Sequence, residues 1–263
     1  MQAGAAAANR VPILEVTDLA VRFGGIPALD GLSLTIERGH ICGIIGPNGS
    51  GKTTLFNCIS RIFRPDRGGL ACEGQDLLAM AGWQIVGAGI ARTFQNLALF
   101  DSMSVRDNIC SGAHSTGRTG LLAHALRLRR VRREEAEIHH RAGELAELVG
   151  LQGLDQVRAG ELPFALQKRV ELARALAARP RLLLLDEPAG GLNHGEVEAL
   201  RELLLELRLR FGLTILLVEH NMSLVMRVAD RVVALAAGRK IADGLPAAIQ
   251  RHPDVIGSYL GAA

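Results

Sequence analysis

The 263-residue chain is short of several things, and each shortage closes off a class of explanation. It has four cysteines, Cys42, Cys58, Cys72 and Cys110, with no Cys-x-x-Cys and no paired spacing. That argues against a disulfide framework or a cysteine-built zinc site and leaves the thiols as small core residues in a reducing compartment. No apolar run approaches the roughly 18 residues that span a bilayer. The longest candidates, 182–185 and 213–218, have strand length. Residues 1–10 hold a short alanine stretch with no basic segment ahead of it, so they read as a disordered extension rather than a secretory signal. The net charge of +3 is too small to argue for a nucleic-acid partner by itself. The expectation is a cytoplasmic globular protein whose membrane role, if any, comes through a partner.

What the chain has in quantity is hydrophobic residues, 48% of the total, enough to bury a sizeable core. Residues 13–16, 20–23 and 32–36 read as short strands separated by Gly24-Gly25 and by a turn at 37–39. Residues 64–69 and 73–76 read as turns, which makes this first region partly antiparallel. From about 104 to 150 the pattern is mostly helical, with a loop over 111–120. Further on, helices at 165–178, 196–210 and 223–229 alternate with buried strands at 182–185 and 213–218. A hairpin of 232–236 and 240–243 turns through Gly238. The alternation predicts an α/β fold with a mainly parallel sheet. Residues 11–263 are read as one domain carrying an antiparallel β subdomain and an inserted helical subdomain at about 96–180.

The chemistry starts at Gly46, Pro47, Asn48, Gly49, Ser50, Gly51, Lys52, Thr53 and Thr54, which fit Gly-x-x-x-x-Gly-Lys-Thr. An apolar run at 41–45 precedes them and a helix at 54–60 follows. In that context backbone N–H groups converge on a triphosphate, Lys52 reaches the β- and γ-phosphates, and the Thr53 hydroxyl can ligate Mg²⁺. A second half-site follows the apolar run 182–185. Asp186 emerges at the carboxyl end of that strand, where it can hold Mg²⁺ through water, and Glu187 can act as the general base on an attacking water. His220, just after strand 213–218, can touch a γ-phosphate, although a lone histidine is more often surface or core filler. Gln95, taken alone, is a plain loop glutamine.

Taken in order, these residues resemble an ATP-binding cassette (ABC) protein, and the resemblance spans 13–263. The phosphate loop, the Gln95 loop, a signature region at 162–167, the Asp186-Glu187 pair, the loop 189–193 and His220 follow one another in the family's order. The resemblance implies a P-loop ATPase of the ABC type that uses ATP and Mg²⁺. It implies Glu187 as catalytic base, His220 as γ-phosphate switch and Gln95 as a Mg²⁺ ligand sensing a transmembrane partner. It also puts Phe23 at the adenine-stacking position, against the alternative of a strand-core aromatic. Arg22-Phe-Gly-Gly25, Arg92-Thr-Phe-Gln95, Leu217-Val-Glu-His220 and the tail 252–261 are similar to the first of two non-identical ATPases in branched-chain amino-acid importers.

That closer resemblance implies uptake of branched-chain or other hydrophobic amino acids, or of a related small polar solute. It implies transmembrane permease subunits, a second ABC ATPase subunit and, indirectly, an extracytoplasmic solute-binding protein. The chain would sit at the cytoplasmic face of the inner membrane, with no nucleic-acid partner. A soluble ABC ATPase of nucleic-acid or ribosome metabolism and a low-turnover nucleotide-gated subunit stay as alternatives. The signature departs from the family's Leu-Ser-Gly-Gly-Gln or Leu-Ser-Tyr-Gly-Gln. Here Leu162, Pro163, Phe164, Ala165, Leu166 and Gln167 stand instead. Pro163 removes a serine hydroxyl, and Ala165 adds a Cβ where a glycine would approach the opposite subunit's phosphate. The basic cluster Arg127, Arg129, Arg130, Arg132 and Arg133 reads as a solvated helix face, with contact to anionic lipid as the alternative. The segment 95–104, with Leu97, Leu99 and Phe100 behind Gln95, is expected to dock the permease.

Overall fold

The structure, a computed structural model, describes residues 12–95, 97–114 and 129–260. The extension at 1–10, Arg127 and the end of the tail lie outside the described residues. A four-stranded antiparallel sheet is built from β1 (Pro12–Phe23), β2 (Ile26–Glu37), β4 (Arg67–Cys72) and β5 (Gln75–Asp76), in the order β2-β1-β4-β5. A six-stranded sheet runs β10-β9-β3-β8-β7-β6. It comprises β3 (Ile41–Ile45), β6 (Ile90–Arg92), β7 (Leu182–Asp186), β8 (Thr214–Val218), β9 (Arg231–Ala236) and β10 (Arg239–Gly244). Only the β9–β10 hairpin in this sheet is antiparallel.

The parallel strands explain the unbroken apolar runs. All five residues of β3, β7 and β8 are buried, because helices cover one face and the antiparallel sheet covers the other. Alternate residues of one strand feed two cores. Leu183, Leu185, Ile215 and Leu217 join the helical side, while Leu182, Leu184, Leu216 and Val218 join the side of β1, β2 and α1 (Lys52–Ile59). The helices are α2 (Val105–Gly112), α3 (Arg129–Leu148), α4 (Phe164–Ala177), α5 (His194–Phe211), α6 (Met222–Val228), α7 (Pro246–Ile249) and α8 (Pro253–Leu260).

Three readings change. The two short strands at 13–16 and 20–23 are one strand with register shifts between Val16 and Val21. The turns expected over 64–69 and 73–76 are shorter. The first ends at Asp66, with Arg67 to Gly69 in β4, and the second keeps only Glu73 and Gly74, because Gln75 and Asp76 pair with β4 as β5. Gly68 hides this strand from sequence patterning. It holds φ 100°, and a Cβ there would lie 2.5 Å from the Asp18 carbonyl oxygen, so only glycine lets β4 pass the bulge in β1. Strand β6 is three residues long and follows Gly87 and Gly89, too short to leave a period. The final hairpin turns on Ala237 and Gly238, at φ 47° and 76°, as a two-residue loop with positive φ demands.

Gly112 sets the crossing of α2 over α4, since a Cβ there would sit 1.9 Å from the Arg174 carbonyl oxygen. Gly112→Ala must separate the two helices and is expected to cost about 1–3 kcal/mol, lowering the thermal midpoint by several degrees. Gly143 on α3 has open space around it. Gly143→Ala is expected to be neutral or to raise the midpoint, by roughly 0.5–1 kcal/mol of helix propensity. Thermal denaturation of the two variants checks the pair.

Candidate functional site

The carboxyl ends of four adjacent parallel strands deliver the residues singled out from sequence. Gly46 follows β3, His220 follows β8, Glu187 follows β7 and Gln95 follows β6, in the sheet order β3-β8-β7-β6. This is where ligands bind in open α/β sheets.

The phosphate loop leaves β3 through Gly46, whose Cβ, if present, would lie 2.2 Å from the Leu235 carbonyl oxygen. Gly51 caps α1 at φ 101° with no side-chain cap, and the first turn has no acidic residue. The positive end of α1 and its backbone N–H groups are therefore free for an anion. Lys52 is 5% exposed, and its ammonium donates to the carbonyls of Gly46 (2.8 Å) and Pro47 (2.9 Å). Burial holds its pKa below the usual lysine range, against the pull of Glu187 and Asp186. A phosphate beside it restores the charge that burial penalises.

Thr53, Gln95 and Asp186, the three residues expected at a cation, line one recess of about 300 Å³ with Arg92, Phe94 and Ala98. The Asp186 carboxylate is divided. Its Oδ2 accepts from Arg92 Nη2 at 2.8 Å, while Oδ1 is buried without a partner. Burial raises the Asp186 pKa, and the Arg92 hydrogen bond and charge oppose that rise. An unpartnered buried carboxylate oxygen, a threonine hydroxyl and a glutamine amide oxygen form an all-oxygen donor set, which fits Mg²⁺.

Glu187 sits in a left-handed turn at φ 49°, with its N–H bonded to the Val218 carbonyl at 2.9 Å. That turn swings the carboxylate between two partners. Gln95 Nε2 donates to Oε2 at 2.9 Å, and His220 Nε2 lies 2.7 Å from Oε1. The structure thus joins Gln95, Glu187 and His220 in one constellation. Phe23 ends β1 with its ring 46% exposed and edge-on to Phe63, centroids 5.2 Å apart. An aromatic face is left for stacking.

The signature region is split by packing. Leu162 is buried and its carbonyl accepts from Gln167 Nε2 at 3.0 Å. Pro163 occupies the N-cap of α4 and supplies no side-chain cap. Phe164 is 47% exposed and lies on Gly191, where a Cβ would meet its ring at 2.9 Å. Ala165 is half-buried and Leu166 packs against the core. In the segment behind Gln95, Leu99 also packs against the core, whereas Phe100 is 52% exposed.

Three further residues shape the site. Arg92 also donates to Asn57 at 2.7 Å and stacks on Phe56 and Phe94. Glu219, 2% exposed, accepts the backbone N–H groups of Ala189 (2.6 Å), His220 (3.0 Å) and Asn221 (3.1 Å). Lys168 donates to the carbonyls of Glu187 and Pro188 at 3.0 and 3.2 Å. The only trace of Glu219 in the sequence is a charged residue placed directly after a buried strand.

Comparisons with known proteins identify the family. The profile described as ABC transporter matches residues 29–190, and that described as branched-chain amino acid ATP-binding cassette transporter matches 239–263. The chain is 41% identical to the high-affinity branched-chain amino acid transport ATP-binding protein BraF of Pseudomonas aeruginosa, over 96% of this chain and 99% of that protein. It is 40% identical to the corresponding LivG protein of Escherichia coli K12, with the same coverage. A crystal structure of a nucleotide-free ATP-binding cassette from an ABC transporter superposes with a TM-score of 0.82 at 30% identity. It covers 95% of this chain and 99% of its own. An ADP-conformation structure of an ABC transporter cassette gives the same values. With a cassette fold, the phosphate loop and the acidic pair at adjoining strand ends, and relatives aligned from end to end, this chain belongs to the ATP-binding, ATP-hydrolysing proteins of ABC transporters.

Proposed function

We propose that this chain is the ATP-hydrolysing subunit of an importer for branched-chain or other hydrophobic amino acids, or a related small polar solute. The observation that carries the reading is similarity over 96% of the chain to proteins whose names state branched-chain amino acid transport. In this reading the chain sits at the cytoplasmic face of the inner membrane, bound to permease subunits and paired with a second ABC ATPase subunit. An extracytoplasmic solute-binding protein acts indirectly, and no nucleic acid is involved.

The phosphate-loop N–H groups and Lys52 bind the phosphates, and Phe23 takes the adenine. Thr53, Asp186 and Gln95 would hold Mg²⁺, which when bound neutralises phosphate charge. Glu187 accepts the proton of the attacking water, while Gln95 and His220 fix its carboxylate from two sides. The permease docks in a recess of about 510 Å³ lined by Ile62, Ile85, Val86, Phe94 and Ala178, and on the exposed Phe100.

Glu187→Gln is expected to keep ATP binding within a few-fold and to lower turnover of the reconstituted transporter by about 100-fold or more. Nucleotide titration and a phosphate-release assay measure the two separately. Turnover close to wild type would remove Glu187 from the mechanism.

Phe100 is already half-buried, so docking gains only about half of a full phenylalanine burial, roughly 1–1.5 kcal/mol. Phe100→Ala should therefore weaken co-purification with the permease by about ten-fold, with the thermal midpoint unchanged. Undiminished association excludes docking through this side chain.

The signature predicts unequal ATP sites in a dimer with a non-identical partner. Pro163 brings no hydroxyl, and Ala165 adds a Cβ in the first turn of α4. One or two missing charge-assisted bonds of about 1.5–3 kcal/mol suffice for tenfold asymmetry. Glu187→Gln should then abolish more activity than the matching glutamate change in the partner, and Ala165→Gly should raise turnover. Equal losses with no response to Ala165→Gly would contradict unequal sites.

A further inference from the structure

Five arginines converge on a groove of about 810 Å³ on the flank of α3. Arg130, Arg133 and Arg141 come from α3, Arg179 from just beyond α4, and Arg181 from just before β7, with Glu134 and Glu137 on the same wall. Positions 130, 133, 134, 137 and 141 fall on one helical face. Gly87 and Gly89, ahead of β6, form part of the floor.

Most of this positive charge is unspent. Among the described residues Arg130, Arg133 and Arg179 make no ion pair, and Arg181 pairs with Glu73 at 2.8 Å. Arg141 is half-buried. Its Nη2 donates to the Leu176 carbonyl at 3.4 Å, but its Nε is buried with no partner. Burial holds the Arg141 guanidinium below its usual pKa, and the charge of Arg179 beside it adds to the effect. Two backbone features keep the arginines in place. Arg179 stands at φ 52°, a position after a helix where glycine is the usual residue. Gly89 leaves room for Arg181, since a Cβ there would come 2.7 Å from its Nε.

We infer that this groove is a binding site for a phosphate-bearing anion, supplied by the headgroup of an anionic lipid. Planar guanidinium forks match phosphate oxygens bidentately, and several of them around one multivalent anion relieve their mutual repulsion. The groove is not part of the ATP site. Arg181 and Gly89 stand at the amino ends of β7 and β6, whereas the nucleotide residues stand at the carboxyl ends. Lipid is favoured as the source because the groove shares Val86 and Ala178 with the recess assigned to the permease, which sets it alongside a membrane-spanning partner. That choice of source rests on the importer reading; the anion site itself does not.

The test uses the full chain with saturating ADP, which occupies the phosphate loop. Wild-type protein should co-sediment with phosphatidylcholine vesicles carrying about 30% phosphatidylglycerol and not with phosphatidylcholine alone. At about five-fold per arginine, Arg133→Ala/Arg179→Ala should weaken that binding roughly twenty- to thirty-fold. Both side chains are exposed, so a matched thermal midpoint shows that the fold is intact. Inorganic pyrophosphate, titrated in parallel, separates the sources. Pyrophosphate binding lost in the double variant, with no vesicle preference, would keep the anion site and overturn the lipid source. Equal binding by wild type and variant in both arms would overturn the site. Permease co-purification of the same variant is read independently, so losing the groove leaves the importer reading intact and the reverse also holds.

Discussion

The buried ion pair between Arg92 and Asp186 is the constraint from which the rest of the site hangs. Both side chains are almost fully buried, at 7% and 1% exposure. Removing one partner would strand a charge in the interior, at about 3–5 kcal/mol. Arg92 uses its remaining reach to bind Asn57 and Ser60 at the end of α1 and to stack between Phe56 and Phe94. One guanidinium thereby fastens the strand before Gln95, the helix after the phosphate loop and the strand that ends in Asp186. It also takes up one oxygen of Asp186, which leaves the other to face the recess with Thr53 and Gln95.

A second carboxylate does for the backbone what Arg92 does for side chains. Glu219 collects three N–H groups, from the loop after Glu187 and from the turn that carries His220. Burial pushes its pKa up, and those three bonds hold it back. The turn at Glu187 is strained at φ 49°, and such strain persists only where neighbours over-determine it. Glu219 from one side and Lys168, bonded to the Glu187 and Pro188 carbonyls, from the other supply that determination. The Glu187 carboxylate is thus aimed by its backbone before Gln95 or His220 touches it.

Much of this was legible in the sequence because the informative residues are local. A glycine loop between a strand and a helix, and an acidic pair at the end of an apolar run, carry their geometry in their spacing. The bulge that admits Gly68, the three-residue strand β6 and the pairing of Arg92 with Asp186 were not legible. Each depends on residues far apart in the chain, 94 positions in the last case. Phe164 shows the same limit. Spacing marks it as part of an altered signature, but only the fold shows its ring lying on Gly191, in the loop that follows Glu187. The expected docking segment divided for a similar reason, since Leu99 found the core and Phe100 did not.

The uncapped start of α1 has a consequence outside catalysis. With no side-chain cap, no acidic residue in its first turn and a desolvated Lys52 behind it, the helix lacks the stabilisation most helices carry within their own sequence. Nucleotide phosphates supply it from outside, so the folded chain gains stability by mass action, about 2.7 kcal/mol at a hundred times the dissociation constant. The stability of the protein is then tied to the supply of adenine nucleotide, ADP as well as ATP, since either brings phosphates to the same loop. When nucleotide falls, a subunit that has stopped working also becomes one that unfolds, and is cleared, more readily.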